Sequence, residues 1–238
     1  MIKKLFISAS LLLGLATTVS AQLNIQLHRD FGRHMYSALN ANGDRPLWTS
    51  TVEDFITDKW HGSTYFFVDM DYNNNGVASA YWEISHEFAV GKKGFAAHIE
   101  YNGGNGVGYY VNNAYLLGAA YNYNTPDYNA GFSFQAMYKY IQKNDEPNNF
   151  QFTAVWYLNF AKGLFRFDGF ADLWREKNAH SRAIFISEPQ IWFNLNKVKG
   201  VDKDFNLSFG SELEISKDFA GRDGWYFIPT AAVKWTFK

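Results

Sequence analysis

The side chains best suited to chemistry are carboxylates that alternate with aromatic rings. Asp69 and Asp71 follow Tyr65 and Phe67 at steps of two, and Glu83 and Glu87 follow Tyr81 in the same way. In an extended chain such residues share a face. Acids on that face accept hydrogen bonds from hydroxyl and amino groups, and the rings stack on flat solutes. Asp69-x-Asp71 could offer two carboxylates to calcium, but the Asn-Gly segment behind it lacks the remaining ligands of a calcium loop. Two solvated acids are the simpler reading. Ser85 and His86 are neighbours and therefore point to opposite faces of a strand, so they do not make a nucleophile–base pair. Gly163 to Gly169 contains no nucleophile elbow. No catalytic residue, cofactor or metal is expected, and the absence of Cys rules out thiolate sites and disulfides.

The elements that would carry these residues are strands. In the last of them Ala231, Val233, Trp235 and Phe237 alternate with Thr230, Ala232, Lys234 and Thr236. Phe205, Leu207, Phe209, Leu213 and Ile215 alternate with Asn206, Ser208, Glu212 and Glu214 in the same manner. This period of two continues along the chain and predicts twelve strands. Their spans are 23–31, 48–56, 62–72, 78–90, 95–102, 114–123, 130–141, 149–160, 164–174, 182–195, 205–216 and 224–237. Many have the ~9–11 residues that a tilted membrane strand needs. Asn/Gly clusters such as Asn73-Asn74-Asn75-Gly76 and Asn102-Gly103-Gly104-Asn105-Gly106 read as turns. The longest connections are then 32–47 and 103–113. No helix-period segment of useful length follows the first twenty residues.

Composition points the same way. Aromatic residues make up 19% of the chain, against an ordinary 47% hydrophobic. A barrel wall in lipid can place that many rings on its outer face and in girdles at both interfaces. A soluble protein would need another home for them. The chain opens with Lys3 and Lys4, an apolar stretch, and Val19-Ser20-Ala21 before Gln22. That order predicts a secretory signal peptide over 1–21 and a mature domain over 22–238. Without Lys3 and Lys4, 20 basic residues face 23 acidic ones, a net charge of −3. Nucleic acid is therefore not an expected partner.

The expected fold is an all-β antiparallel transmembrane barrel of about 12 strands. Both termini lie at one end, taken as the periplasmic one. If the apolar face meets lipid, the other face lines the lumen. The lumen and solute-contact candidates are Glu53, Tyr65, Phe67, Asp69, Asp71, Tyr81, Glu83, Glu87, His98, Glu100, Arg166, Asp168, Asp172, Glu188, Gln190, Glu212, Glu214 and Lys234. A twelve-stranded barrel lies between packed eight-stranded and open sixteen-stranded ones. Two readings are therefore open: a passive channel for small hydrophilic solutes, and a closed structural barrel whose lumen acids and bases pair. A third, a lipid-modifying enzyme, would turn on His86. In an interaction role, the first connection, with Arg29, Arg33, His34 and Arg45 in or beside it, could bind a partner or lipopolysaccharide phosphates.

Thr51-Val52-Glu53-Asp54-Phe55, Thr64 to Tyr72 (TYFFVDMDY) and Tyr81 to Phe88 (YWEISHEF) resemble the Tsx-like superfamily of nucleoside-specific outer-membrane channels. Phe167-Asp168-Gly169-Phe170-Ala171-Asp172, Ser187-Glu188-Pro189-Gln190 and Lys234-Trp235-Thr236-Phe237 resemble an uncharacterised branch of it. The resemblance implies a Gram-negative outer-membrane barrel, nucleosides as solutes, outer-membrane lipid around it, and insertion by the barrel assembly machinery. That machinery reads a terminal aromatic. Here Phe237 is penultimate and Lys238 follows.

Overall fold

The computed structural model describes residues 22–41, 45–91, 93–107 and 109–237. The expected signal peptide lies outside them. The strands are β1 (Asn24–Asp30), β2 (Trp48–Thr57), β3 (Ser63–Asn73), β4 (Gly76–Ala89), β5 (Phe95–Gly106), β6 (Tyr109–Asn124), β7 (Ala130–Ile141), β8 (Asn148–Phe160), β9 (Phe165–Arg175), β10 (Ala183–Ser187), β11 (Gln190–Asn194), β12 (Leu207–Lys217) and β13 (Trp225–Thr236). Each pairs antiparallel with its neighbours, and β1 pairs with β13, from Asn24↔Thr236 to Asp30↔Thr230. The sheet therefore closes and has no free edge, which removes the unpaired backbone groups that a membrane would penalise.

β10 and β11 are two halves of one stave. Ser187 pairs with Ala171 and Gln190 with Asp168, so the register against β9 is the same on both sides of the gap. Pro189 has no N–H for the ladder, and the chain breaks there. Opposite it, Gly169 has φ +153, where a Cβ would lie 2.6 Å from the Glu188 carbonyl oxygen. The thirteen segments thus make twelve staves, the number expected.

Two expectations fail in detail. The stretch 103–113 is not a long loop: β5 runs to Gly106, and β6 starts at Tyr109. Its glycines are required by sheet packing more than by a turn. A Cβ on Gly104 would stand 2.6 Å from the Ala80 carbonyl oxygen. A register shift between Asn102 and Gly104 absorbs the extra residue on β6. The connection 31–47 also holds two short helices, α1 (Gly32–Met35) and α2 (Ser37–Ala41), too brief to leave a periodic signal.

The outer wall is apolar. Leu117, Phe134, Tyr138, Phe152, Leu158, Leu173, Phe209 and Val233 are all exposed large hydrophobics. Ring pairs such as Phe134–Phe152 cross between staves on this face. Little of the stability can come from a sealed core: the buried apolar clusters are small, the main ones being Ala114, Leu116, Met137 and Ile141, and Trp174, Ile184 and Ile186. The closed backbone ladder and cross-strand pairs carry the fold.

Candidate functional site

The strand registers turn one set of residues toward the bore. Asn24, Gln26 and His28 of β1 align with Glu53, Thr51 and Thr49 of β2. Asp71, Asp69 and Phe67 of β3 align with Ser79, Tyr81 and Glu83 of β4, and Glu83, Ser85 and Glu87 of β4 align in turn with Asn102, Glu100 and His98 of β5. Arg166, Asp168 and Asp172 of β9 share the inner parity with Gln190 of β11 and Glu212 of β12. Glu188 keeps that parity at the broken stave, and Glu214 and Lys234 face in from β12 and β13. All eighteen candidate residues, from Glu53 to Lys234, therefore lie on the inner face.

They gather into three groups. In the first, at the end that carries both termini, Asn24 and Tyr65 donate to Glu53 at 2.8 and 2.9 Å. Nearby, Lys234 Nζ sits 4.0 Å over the Trp192 ring, and Arg166 pairs with Asp168. Gln190 donates to Glu212 at 2.6 Å, and Trp192 donates to Gln190 at 2.9 Å.

The second group spans the bore. Tyr81 donates to Glu83, and Asn102 donates to Glu83 and Glu100 at 3.3 and 3.1 Å. His98, 1% exposed, lies between two carboxylates, with Nε2 3.1 Å from Glu100 and Nδ1 3.4 Å from Glu87. Asn122 and Gln135 also donate to Glu87. From the opposite wall come Asp172 and Lys139, whose charges bear on Glu83. Lys139 Nζ donates to Gln151 at 2.7 Å and sits 4.7 Å over the Trp174 ring.

The third group brings Glu188 and Glu212, with Glu214 beside them, to face Asp69 across the bore. Thr51 donates to Asp69, and Thr49 and Ser79 donate to Asp71 at 2.7 and 2.8 Å. An arginine enters this group from the first connection. Arg45 pairs with Asp30 at 2.7 Å and with Glu214 at 2.6 Å, while Arg222 of the last connection holds the other Glu214 oxygen at 2.6 Å. Arg45 thus faces the bore and is not an outward phosphate ligand, contrary to expectation. Sequence reasoning missed it because its partners lie 15 and 169 positions away. Tyr36 helps to seat the same connection: it accepts the Phe227 N–H at 3.0 Å, and its ring lies tilted against Tyr226 with centroids 4.8 Å apart.

On the outer wall, His86 does have a hydroxyl partner. Thr64 Oγ1 is 2.8 Å from its Nδ1, and Asp58 is 3.8 Å from its Nε2. Asp58 is occupied by the N–H groups of Trp60 and Gly62, at 2.7 and 2.9 Å, so the trio anchors the β2–β3 turn to β4. Among the described residues no group of three or more potential ligands is placed to hold a metal ion.

A closed antiparallel twelve-stave wall, apolar outside and hydrophilic inside, defines a transmembrane β-barrel. The chain belongs to the family described as "Domain of unknown function (DUF5020)", which it matches over residues 21–237. Among solved structures it is similar to the NanC porin, with TM-score 0.58, 10% identity, 91% of this chain and 99% of that one covered. It is also similar to the KdgM porin, with TM-score 0.51, 10% identity and the same coverage, and to that porin in complex with disordered oligogalacturonate, with TM-score 0.51 and 9% identity. At these identities the likeness is one of fold. Comparison with curated proteins gives no match.

Proposed function

We propose that this chain is an outer-membrane channel of a Gram-negative cell, passing small hydrophilic solutes by passive diffusion, nucleosides among them. The observation that carries the reading is Val155. It lies on the inner face of mid-β8, in register with Ser133 and Phe170, yet is 39% exposed. An apolar side chain inside a packed barrel would be sealed by its neighbours, so the bore has room for water at this depth. Nucleosides are favoured by the Tsx-like motifs and by the ladder of Tyr65, Phe67 and Tyr81, whose ring centroids are 6.0 and 5.9 Å apart. Those rings lie beside Glu53, Asp69 and Glu83, so stacking and hydrogen bonding are available on one wall. The KdgM porin has been described with oligogalacturonate, a chain of uronic acids. The acidic interior here does not suit such a polyanion.

The test is swelling of liposomes that contain the refolded chain, in isosmotic nucleosides, sugars and amino acids. Swelling that is faster with nucleosides than with sugars of similar size is expected. No swelling with any solute, from protein shown to be folded by heat-modifiable migration, would leave the closed structural barrel as the better reading.

A further inference from the structure

Charge inside the bore is unevenly compensated. Asp30 and Glu214 are held by arginines from the connections, Asp168 by Arg166, and Glu87 and Glu100 flank His98. Glu53, Asp69, Asp71, Glu83, Asp172 and Glu188 have no ion-pair partner among the described residues, and the first four are met by the neutral donors Asn24, Thr51, Thr49, Ser79 and Tyr81. The two inward lysines, Lys139 and Lys234, do not close on any of these acids. Each sits over an indole instead.

Two further observations give the acids a direction. Asp172 is half-buried, and its Oδ1 has no hydrogen-bond partner. Its charge bears on Glu83 from across the bore, while that of Glu100 bears on Glu83 from the neighbouring strand β5, so acids of opposite walls face the same passage. Glu188 and Asp69 oppose one another in the same way. Next to these acids the Tyr65–Phe67–Tyr81 ladder offers ring faces, which attract cations and are indifferent to or repel anions. Rings of Asp and Glu are a recurrent basis of cation preference in pores.

We propose that the bore selects by charge, passing cations and uncharged solutes and turning back anions, so that nucleosides and aminated solutes enter while their phosphorylated counterparts do not. The selecting groups are Glu83 and Asp172, with Asp69 and Glu188 as a second constriction. This rests on the channel reading above.

The experiment is the reversal potential of the refolded chain in a planar bilayer under a KCl gradient, before and after neutralisation of the filter. Potassium is expected to be favoured over chloride. The double variant Glu83→Gln, Asp172→Asn should bring the ratio close to one. Should that variant fail to fold, Asp172→Asn alone, at a carboxyl whose Oδ1 has no partner to lose, should lower the ratio measurably. Conductance with chloride favoured, or a ratio that neither variant changes, overturns the proposal while leaving the channel intact. Absence of conductance from folded protein overturns both.

Discussion

Glu146, on the connection between β7 and β8, gathers the basic groups of the next outer connection. Arg175 and Arg182 both hydrogen bond to it, and Lys177 lies 3.9 Å away. The hydrogen bond from Arg182, followed by that from Arg175, holds its carboxyl below the usual carboxylate range. A lowered value in the folded state means that the link is fully present above the unfolded value, about 4.3, and is lost as pH falls through the folded one. The segment 176–182 should therefore keep its amide protection from neutral pH down to mild acid and lose it below the normal carboxylate range. Glu146→Gln should show the acid behaviour at pH 7. Hydrogen exchange corrected for intrinsic rates measures both, and protection in the wild type that does not change with pH would contradict the assignment. At this scale the sequence was legible in parity and opaque in partnership. Alternation alone turned Asp69, Glu83 and Glu212 to one face. Nothing in it could tell that Asp69 looks across at Glu188, or that Arg45 would turn inward to Asp30 and Glu214, because those neighbours are created by closure of the wall.

The same division holds for the elements. β12 and β13 stood out because one face is polar and the other apolar residue by residue, as a half-solvated strand requires. β5 and β6 were cut short because Gly103, Gly104 and the flanking asparagines carry turn chemistry, whereas here the glycines allow close approach within the sheet. The alternation over 182–195 predicts one continuous stave, and Pro189 divides it. That division gives a testable element. Gly169 opposes the break in a conformation that L side chains rarely adopt, with the Glu188 carbonyl and Pro189 Cα at 2.6 and 2.8 Å from where a Cβ would stand. Gly169→Ala must shift backbone on one of the two staves and should cost about 1–3 kcal/mol. Urea unfolding in lipid vesicles, followed by tryptophan emission, would show the lower midpoint. The equivalent change at Gly200, a turn glycine with nothing within 4 Å of a Cβ but also at positive φ, should cost less. Equal costs would mean that backbone strain dominates and that the close approach at the break is unimportant.

For the whole molecule the decisive property is which side of the wall is dry. The inner face places carboxylates, amides and hydroxyls around a passage, and the outer face carries rings and aliphatic chains from nearly every stave. In water the exposed aromatic and aliphatic area would be an aggregation hazard; in lipid it is the ordinary exterior of a barrel. The two environments make opposite demands on a single added charge. Leu117, in the middle of β6, points outward and is 61% exposed. On a water-facing surface, Leu117→Arg would change stability little, since surface substitutions generally lie within about 0.5 kcal/mol. At the midplane of a bilayer the same change should cost about 2–4 kcal/mol. The neighbouring position Leu116 turns inward beside Lys139, so an arginine there meets like charge and tight packing for a different reason. Folding of Leu117→Arg should therefore be compared in bilayers and in detergent micelles, whose thinner, water-accessible shell lets an arginine reach solvent. A large penalty in bilayers that shrinks in micelles would fix β6 as a lipid-facing stave. A small penalty in both would mean that this band of rings is not buried in hydrocarbon, and the exterior would then need a protein partner to cover it.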